Sequence, residues 1–336
     1  MSANNDNGIR PTTIMQNAYA VYPSFAMLAG MQLDVFTALK DGPMTVEALA
    51  TFLNVQEAKL SPLIFALVTA NLLTVEDGIF SNTEEAGKFL VRGRPEYMGG
   101  LSGFYNSLWN AALNTAESIR TGNPQAKLDW MSMPKDRLVK YFSDQYPGSL
   151  RAGRQLAKKI DFSKFKRLLD AGGGTGGLAI GVCGTCPDLE ATVIDLPAVA
   201  SISKRFISVA SMDERITAMA ADLIDGPPEG SYDVAVLRAF IQVMPPDHVK
   251  KALKNVSQVM EPGGSIYIVG SVLDDTRLSP PASVAFSLVF LNVYEDGHSY
   301  TETEHRAWLR EAGFTDISIE HEAMSDGLGL VSARKA

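Results

Sequence analysis

The stretch LLDAGGGTGGL, residues 168–178, decides the fold of this chain. Its apolar start and Asp170 indicate the end of a buried strand, and the glycines that follow indicate a tight loop before a helix. Gly172, Gly174 and Gly177 satisfy the G-x-G-x-x-G spacing of nucleotide-binding sheets, which is a weak signal alone. Glycine lets a backbone approach a ligand closely, so the stretch predicts a cofactor site where a strand ends.

The second half of the chain alternates short apolar runs with helical segments. The runs ATVID, DVAVL and GSIYIV are typical of buried strands, and two more runs lie near the C-terminus. Such alternation is typical of βαβ units and a mostly parallel sheet. We therefore expect an α/β, Rossmann-like domain over residues 151–336.

The first half of the chain shows helical periodicity instead. An Asp77-Gly78 pair between apolar runs indicates a β-hairpin turn after several helices. Helices followed by a small hairpin are typical of winged-helix domains, so we expect a helical winged-helix-like domain over residues 1–150. The net charge is −8 and no basic cluster accompanies the helices, which favours dimerisation over nucleic-acid binding.

Composition favours a soluble cytoplasmic protein. Hydrophobic residues make up 46% and charged residues 20%, which is ordinary for a folded domain. The start MSANNDNGIR lacks the apolar core of a signal peptide, and no apolar run reaches the ~18 residues of a membrane span. Cys183 and Cys186 lie at a predicted helix C-terminus, where the helix dipole disfavours a thiolate. We expect them to be structural, and we expect no metal site and no membrane association.

Three carboxylates at successive predicted strand ends discriminate between cofactor classes. Asp170 precedes the glycine loop, Asp195 ends the next strand, and Asp222 follows a third apolar run. An acid at the position of Asp195 can hold both ribose hydroxyls of either cofactor class. Asp222 suits an adenine amino group with Leu223 packing on the ring, and Asp170 suits a cationic ligand. The set favours S-adenosylmethionine (SAM) over a nicotinamide cofactor and over an interpretation of the acids as helix caps.

These segments together resemble the class I SAM-dependent methyltransferases of the plant and bacterial small-molecule O-methyltransferase family. The similar segments lie within residues 165–315 and are LLDAGGGTGG, VIDLP, AADL, VLRAF, MEPGGSIYIV and TETEHRAWLREAGF. The resemblance implies a seven-stranded sheet, S-adenosylhomocysteine (SAH) as product, a small-molecule acceptor and a homodimer built by the N-terminal helices. Beside Asp170, the cofactor contacts expected are Phe142, Gly172, Gly174, Asp195, Leu196, Asp222, Leu223 and Arg238.

The position of the catalytic base is where the chain departs from that family. O-methylating members carry a His-Asp-Trp stretch after the strand that corresponds to DVAVL. Alignment of VLRAFIQVMPP with that stretch places Gln242, Val243 and Met244 at the three positions. The two glutamates that orient the histidine in such members correspond to Gly270 and Ser299. All three positions therefore lack proton-handling side chains.

The missing base favours an acceptor atom whose lone pair is already free. A phenol has a pKa of about 10 and benefits from a general base, whereas a thioether needs only alignment and exclusion of water. The resemblance thus directs us to the methylthiohydroxybutyrate S-methyltransferases of dimethylsulfoniopropionate synthesis. Tyrosine faces would stabilise the sulfonium product. The candidate tyrosines near the acceptor are Tyr105, Tyr141, Tyr146 and Tyr294.

Other acceptors and other proton-handling groups stay open. O- or C-methylation of a small aromatic or pigment-like acceptor is the alternative, with His298 in EDGHSY as a relocated base for O-methylation. A protein that binds SAM or DNA without catalysis is a remote alternative. His248, His305 and His321 are interpreted as surface residues.

Overall fold

The computed structural model describes residues 9–94 and 96–336, which form two compact units. The first unit ends at Ser102 and the second covers Gly103–Ala336. The segment 103–150, which the sequence groups with the N-terminal helices, therefore lies in the unit that contains the sheet. The assignment of 1–150 and 151–336 as separate domains stays a prediction.

The first unit consists of short helices and one β-hairpin. Its elements, in chain order, are α1 (Thr12–Tyr19), α2 (Val21–Gln32), α3 (Val35–Ala38), α4 (Val46–Leu53), α5 (Glu57–Thr69), β1 (Leu73–Glu76), β2 (Ile79–Asn82) and α6 (Glu84–Phe89). The hydroxyl of Thr45 accepts a hydrogen bond from the N–H of Ala48 and so caps α4. The hairpin turns at Asp77 and Gly78, both with positive φ. The predicted order, in which a β-hairpin follows several helices, is therefore present.

The second unit alternates strands with helices. Helix α7 (Gly100–Ala112) begins in the first unit, and the further helices are α8 (Thr115–Thr121), α9 (Lys135–Lys159), α10 (Gly177–Cys183), α11 (Pro197–Val209), α12 (Pro246–Gln258), α13 (Pro281–Val293) and α14 (Glu302–Glu311). The strands are β3 (Arg167–Ala171), β4 (Glu190–Asp195), β5 (Ile216–Ala220), β6 (Tyr232–Arg238), β7 (Met260–Gly270), β8 (Val272–Leu273), β9 (Tyr300–Thr301), β10 (Phe314–Glu320) and β11 (Gly329–Lys335).

Seven of these strands form one sheet in the order β10-β11-β7-β6-β3-β4-β5. Strands β3 to β7 run parallel, and β11 is antiparallel to both β7 and β10. The predicted α/β fold with a mostly parallel seven-stranded sheet is thus confirmed. The strand order reverses beside β3, and ligands of such sheets bind where strands end at this switch point.

Helix α9 belongs to the sheet unit because it packs closely on α10. A Cβ on Gly153 of α9 would lie 3.0 Å from the carbonyl carbon of Leu178, and one on Gly181 of α10 would lie 2.9 Å from the backbone nitrogen of Arg154. Glycine at both positions permits this approach of the two backbones. The contact holds the first half of α9 over the glycine loop.

The two cysteines lie at the end of α10, as the sequence predicts. Cys183 is buried and is the last residue of that helix, and burial raises the pKa of its thiol to about 12. A thiol of this kind stays protonated and unreactive at neutral pH. Nowhere in residues 9–94 and 96–336 does a helix reach the length and apolar character of a membrane span.

Candidate active site

The glycine loop joins the end of β3 to the start of α10 and adopts backbone angles that favour glycine. The φ angles of Gly172 and Gly174 are +67° and +59°. A Cβ on Gly172 would lie 2.8 Å from Cε2 of Phe240, and one on Gly177 would lie 2.9 Å from Cβ of Ser149. The three glycines of the predicted fingerprint therefore occupy positions where a side chain would clash or strain the backbone.

Asp195 ends β4 beside this loop, and its carboxylate is held by two backbone groups. The N–H of Gly174 donates to Oδ2 at 2.8 Å, and the N–H of Leu196 donates to Oδ1 at 2.8 Å. Burial raises the pKa of Asp195 to about 6 despite these two donors. The carboxylate is thus fixed in orientation, with lone pairs left for a pair of ribose hydroxyls.

Asp170 lies beneath the same loop and is 1% exposed. Its Oδ2 accepts a hydrogen bond of 3.2 Å from the N–H of Ala179, and a Cβ on Gly173 would lie 2.8 Å from that oxygen. Burial raises the pKa of Asp170 to about 7, and the positive charge of Arg238 opposes this shift. A cation bound nearby would favour the ionised carboxylate.

Asp222 and Leu223 follow β5, and the structure gives them different surroundings. Asp222 is half-buried and its Oδ1 accepts a hydrogen bond of 2.9 Å from the N–H of Ile224. Leu223 is 3% exposed and packs in the hydrophobic core of the sheet, while its carbonyl accepts from the side chain of Asn255 at 2.8 Å. Their contacts with an adenine ring stay a prediction.

Phe142, an expected cofactor contact, and Tyr146, a candidate tyrosine near the acceptor, lie on one side of α9. A Cβ on Gly174 would lie 3.3 Å from Cε1 of Phe142, so this ring borders the glycine loop. The ring of Tyr146 packs on Phe206 of α11 with centroids 4.5 Å apart, and it also borders Gly177. The structure thus places Tyr146 with the cofactor loop rather than with the other candidate tyrosines.

A cluster of aromatic side chains lies around Tyr141 and Tyr294, whose phenols influence each other's pKa. The ring of Trp130 is 4.7 Å from that of Tyr141, and the ring of Phe104 is 6.4 Å from it. Tyr105 lies beside Phe104 at 5.5 Å. Burial raises the pKa of Tyr141 to about 12 and also raises the pKa of Tyr294 well above its usual value, so both phenols are neutral hydrogen-bonding groups.

Gln242 follows β6 in a short 3₁₀ turn and is 1% exposed. Its Nε2 donates to the carbonyl of Ser271 at 3.3 Å, and its Oε1 is buried without a hydrogen-bond partner among the described residues. A Cβ on Gly270 would lie 2.7 Å from Cδ of Gln242. The Gln242 amide therefore fills the space that a side chain at position 270 would need.

Ser299 joins this group through a second serine. Its hydroxyl and that of Ser271 share a hydrogen bond of 2.8 Å, and both residues are buried. The structure thus brings together the three positions that correspond to the base and its two orienting glutamates. An amide, a glycine and a hydroxyl occupy them, and none of these groups takes up a proton near neutral pH.

His298, the candidate relocated base, is exposed beside this group. Its ring packs edge-on against the buried ring of Tyr300, with centroids 6.0 Å apart. Among the described residues, the Gln242 side chain hydrogen-bonds to Ser271 and not to His298. A catalytic role of His298 stays a prediction.

The interpretation of His305 as a surface residue is wrong. It is 1% exposed, and its Nδ1 is 2.8 Å from the carbonyl oxygen of Thr301. The residue lies on the buried face of α14 with Trp308 and Leu309, so helical spacing turns it inward. His321 is half-buried, and its Nε2 is 2.8 Å from Oε1 of Glu302.

Arg238 ends β6 and lies between the cofactor loop and the connection from β10 to β11. Its Nη2 is 3.4 Å from Oδ2 of Asp326. Its Nε is buried and has no hydrogen-bond partner in the described residues. In that same part of the chain, no group of three or more His, Cys, Asp or Glu side chains has metal-binding geometry.

Sequence reasoning missed Trp130 and Ser271, which contact predicted site residues. Trp130 lies in the loop before α9, where a tryptophan outside the predicted elements was a usable signal. Ser271 carried no local signal, because its contacts are with side chains from distant segments.

Two family models match the chain. An O-methyltransferase domain matches residues 139–315, and an O-methyltransferase dimerisation domain matches residues 15–92. The first match alone covers more than half of the chain and includes the glycine loop, Asp195, Gln242 and Ser299.

Individual relatives match over nearly the whole chain. The 3-hydroxy-5-methyl-1-naphthoate 3-O-methyltransferase of Streptomyces sahachiroi is 28% identical over 97% of this chain and 96% of its own length. The N,N-dimethyltransferase OxyT of Streptomyces rimosus is 26% identical over 90% of each chain. The crystal structure of human N-acetylserotonin methyltransferase in complex with SAM covers 100% of both chains, with a TM-score of 0.81 and 22% identity. That likeness shows a shared fold.

Proposed function

We propose that this chain, which belongs to the O-methyltransferase family and is a SAM-dependent methyltransferase, methylates a small aromatic or pigment-like acceptor. The aromatic side chains around Tyr141 and Tyr294 provide faces for a flat ring. The names of relatives include a naphthoate acceptor. The thioether acceptor that we expect from the sequence has no support among these relatives, so the aromatic acceptor replaces it.

The Gln242 amide at the base position is the observation that carries the proposal about chemistry. A lone pair of the acceptor oxygen attacks the methyl carbon of the sulfonium, the carbon–sulfur bond breaks, and SAH leaves. An amide cannot remove the hydroxyl proton, so the oxygen must arrive ionised or lose its proton to water. We therefore propose an acidic aromatic hydroxyl, present largely as its phenolate at neutral pH.

The cofactor roles follow from the glycine loop and the acids around it. Asp195 would accept hydrogen bonds from the ribose hydroxyls, while Gly172 and Gly174 allow the backbone to approach the cofactor. Asp170 would face the positively charged end of SAM, and Phe142 would cover the bound cofactor. The dimerisation-domain match supports a homodimer built by the N-terminal helices.

The pH dependence of turnover with a graded set of acceptors tests the proposal. Hydroxynaphthalenes and nitrophenols with pKa values from about 5 to 10 would be assayed with SAM. The rise of kcat/KM with pH is expected to follow the pKa of each acceptor, because no protein group removes the proton. A rise at one fixed pH for every acceptor would identify a protein base and contradict the proposal.

An aromatic amine is the second candidate acceptor. Among the described residues the buried Oε1 of Gln242 has no hydrogen-bond partner, so it can accept a hydrogen bond from an N–H group. A neutral amine nitrogen attacks the methyl carbon with its own lone pair and loses a proton afterwards. One relative is named an N,N-dimethyltransferase. Aminonaphthalenes assayed beside the hydroxynaphthalenes would decide between the two acceptor classes.

A further inference from the structure

The segment of residues 125–130, here called the strap, runs along the end of α13. That helix ends at Val293, so its last carbonyl groups lack partners within the helix itself. The N–H of Ala126 donates to the carbonyl of Asn292 at 3.0 Å, and the N–H of Leu128 donates to the carbonyl of Val293 at 2.8 Å. The strap therefore satisfies the end of α13 and is held there by two backbone hydrogen bonds.

The side chains of the strap alternate between the protein and solvent. Ala126 and Leu128 are half-buried and pack in one apolar cluster with Val293, whereas Lys127 is exposed and pairs with Glu295. An exposed ion pair of this kind contributes little to stability. Apolar packing and the hydrogen bonds to α13 thus hold the strap in place.

A buried amide on α13 joins the start of the strap to α8. The side chain of Asn292 is fully buried, and its Oδ1 accepts a hydrogen bond of 2.8 Å from the hydroxyl of Ser118. Its Nδ2 donates to the hydroxyl of Thr115 and to the carbonyl of Leu288, both at 2.8 Å. The Ser118 oxygen in turn accepts from the N–H of Gln125 at 3.2 Å. One amide therefore links two helices to the strap.

The amide stands in an otherwise apolar stretch of α13, SLVFLNV. A buried amide is costly unless its polar atoms are hydrogen-bonded, and both atoms of the Asn292 amide are. A leucine of similar size would bury more apolar surface but would leave the Ser118 hydroxyl without its acceptor. The amide thus contributes a fixed orientation of the strap, which an apolar side chain cannot provide.

The strap ends at Trp130, in the aromatic cluster at which we place the acceptor. The ring of Trp130 is 4.7 Å from that of Tyr141 and 5.5 Å from that of Phe142. Tyr294, another member of this cluster, lies two residues after Asn292 at the end of α13. Two aromatic parts of the cluster, one on each chain segment, therefore depend on the position of one amide.

We propose that Asn292 is a positioning residue, which fixes the strap so that Trp130 forms one wall of the acceptor site. The proposal rests on the proposed function for the nature of the acceptor. Asn292 acts through the strap and needs no contact with the acceptor itself. Loss of its amide should loosen this wall and weaken acceptor binding, while the glycine loop and Asp195 keep their own contacts.

Fluorine NMR of protein labelled with fluorotryptophan tests the positioning without any acceptor. The chain has three tryptophans, and Trp130→Phe identifies the resonance of Trp130. Asn292→Leu should shift or broaden that resonance and leave that of Trp308, which is buried in the sheet core, unchanged. Ser118→Ala, which removes the hydroxyl between the amide and the strap, should shift it in the same direction by a smaller amount.

A matched control makes the same replacement away from the strap. Asn110 is exposed on α7, where its side chain donates to the carbonyl of Asn106 at 2.8 Å. Asn110→Leu should leave the Trp130 resonance where it is in the wild-type protein. An equal change in this control and in Asn292→Leu would overturn the proposal.

Steady-state kinetics with a hydroxynaphthalene and SAM complete the test. Asn292→Leu should raise the KM of the acceptor about tenfold and leave kcat and the KM of SAM within about twofold, because binding of the acceptor alone is weakened. An unchanged Trp130 resonance in folded Ser118→Ala and Asn292→Leu would overturn the positioning role, and Ser118→Ala decides alone if Asn292→Leu does not fold. A shifted Trp130 resonance in a protein that methylates no aromatic compound would retain that role and contradict the proposed function.

Discussion

The two halves of the sheet edge in the second unit are built in different ways. At the ends of β3 and β4 lies the half that we propose binds the cofactor, here called the cofactor half, which consists of backbone groups and acids close in sequence to the glycine loop. At the ends of β6 and β7 lies the half that we propose faces the acceptor, here called the acceptor half, which consists of Gln242, Gly270 and Ser299 from three separate segments. The first half has recognisable local motifs, and the second is defined by contacts between distant residues.

This difference shows which kind of site can change its chemistry. A loop with positive φ angles and close backbone contacts tolerates few substitutions, because each one strains the backbone or collides with a neighbour. The Gln242 side chain lies where a residue at 270 would place its own, so a glutamate there and this glutamine exclude each other.

The largest expected effect is on the cofactor half, in Asp195→Asn. An amide offers one oxygen to the two backbone donors that now bind two carboxylate oxygens, and it loses the charge that ribose hydroxyls would bind. SAM affinity should fall by up to about 100-fold, measured by calorimetry. The exposed Asp188→Asn serves as the control, and equal affinities in both variants would contradict the assigned role.

Asp170→Asn should separate stability from binding in the same half. The folded pKa of about 7 lies above the usual value near 4, so the carboxyl stabilises the fold at low pH and this contribution is lost as pH rises toward 7 and beyond. The variant should be more stable at pH 8, on the order of 2 kcal/mol, yet bind SAM more weakly.

Urea denaturation of Asp170→Asn at several pH values, with the exposed Asp225→Asn as control, checks the sign. The stability of the wild-type protein should fall from pH 5 to pH 8 relative to Asp170→Asn. If the free energies of unfolding of the two proteins changed in parallel with pH, the pKa of Asp170 would not be raised in the folded state.

A double-mutant cycle can measure the steric conflict between a side chain added at position 270 and the Gln242 amide. Gly270→Ala alone should lower the free energy of unfolding by about 1.5 kcal/mol, because its methyl group collides with the Gln242 amide. In the Gln242→Ala background the same change should be nearly neutral, which gives a coupling of about 1.5 kcal/mol. Gly226→Ala, with no neighbour within 4 Å of its Cβ, is the control. Additive effects would show that the two positions do not compete for space.

His305→Gln tests whether the buried histidine near the acceptor half is structural. Burial lowers the pKa of His305, so the folded state keeps the ring neutral despite Glu304 and Glu302, while the unfolded chain takes up a proton near pH 6.5. Stability from this group is therefore present above pH 6.5 and lost as pH falls below it. Between pH 7 and pH 5 the wild-type protein should lose about 1 kcal/mol more than His305→Gln. His248→Gln, which removes a half-buried imidazole from another helix, is the control.

The smallest expected effect is that of His298→Ala. The ring is exposed, and the proposed acceptor needs no base, so kcat/KM should stay within about twofold of the wild-type value across the pH range. His248→Ala, which also removes one imidazole, is the control. A drop of tenfold or more, together with loss of the pH dependence, would identify His298 as a relocated base.

Local sequence patterns predicted the α/β fold, the order of the N-terminal helices and hairpin, and the cofactor class. They also predicted that position 242, which corresponds to the family's catalytic histidine, lacks a basic side chain. They did not predict the burial of His305, because a single histidine in a polar segment leaves open which helix face is buried. Nor did they separate Tyr146 from Tyr141, although the two lie five residues apart on one helix and face different neighbours.

The amino-acid sequence by itself determined the glycine loop, the acids at the strand ends and the presence of a glutamine rather than a histidine at position 242. Each of these depends on backbone angles or residue types within a few positions. Only the tertiary structure decided that the Gln242 amide fills the space beside Gly270 and that Ser299 is joined to this group through Ser271. Those arrangements depend on the packing of side chains from separate strands and helices, and packing is a property of the whole fold.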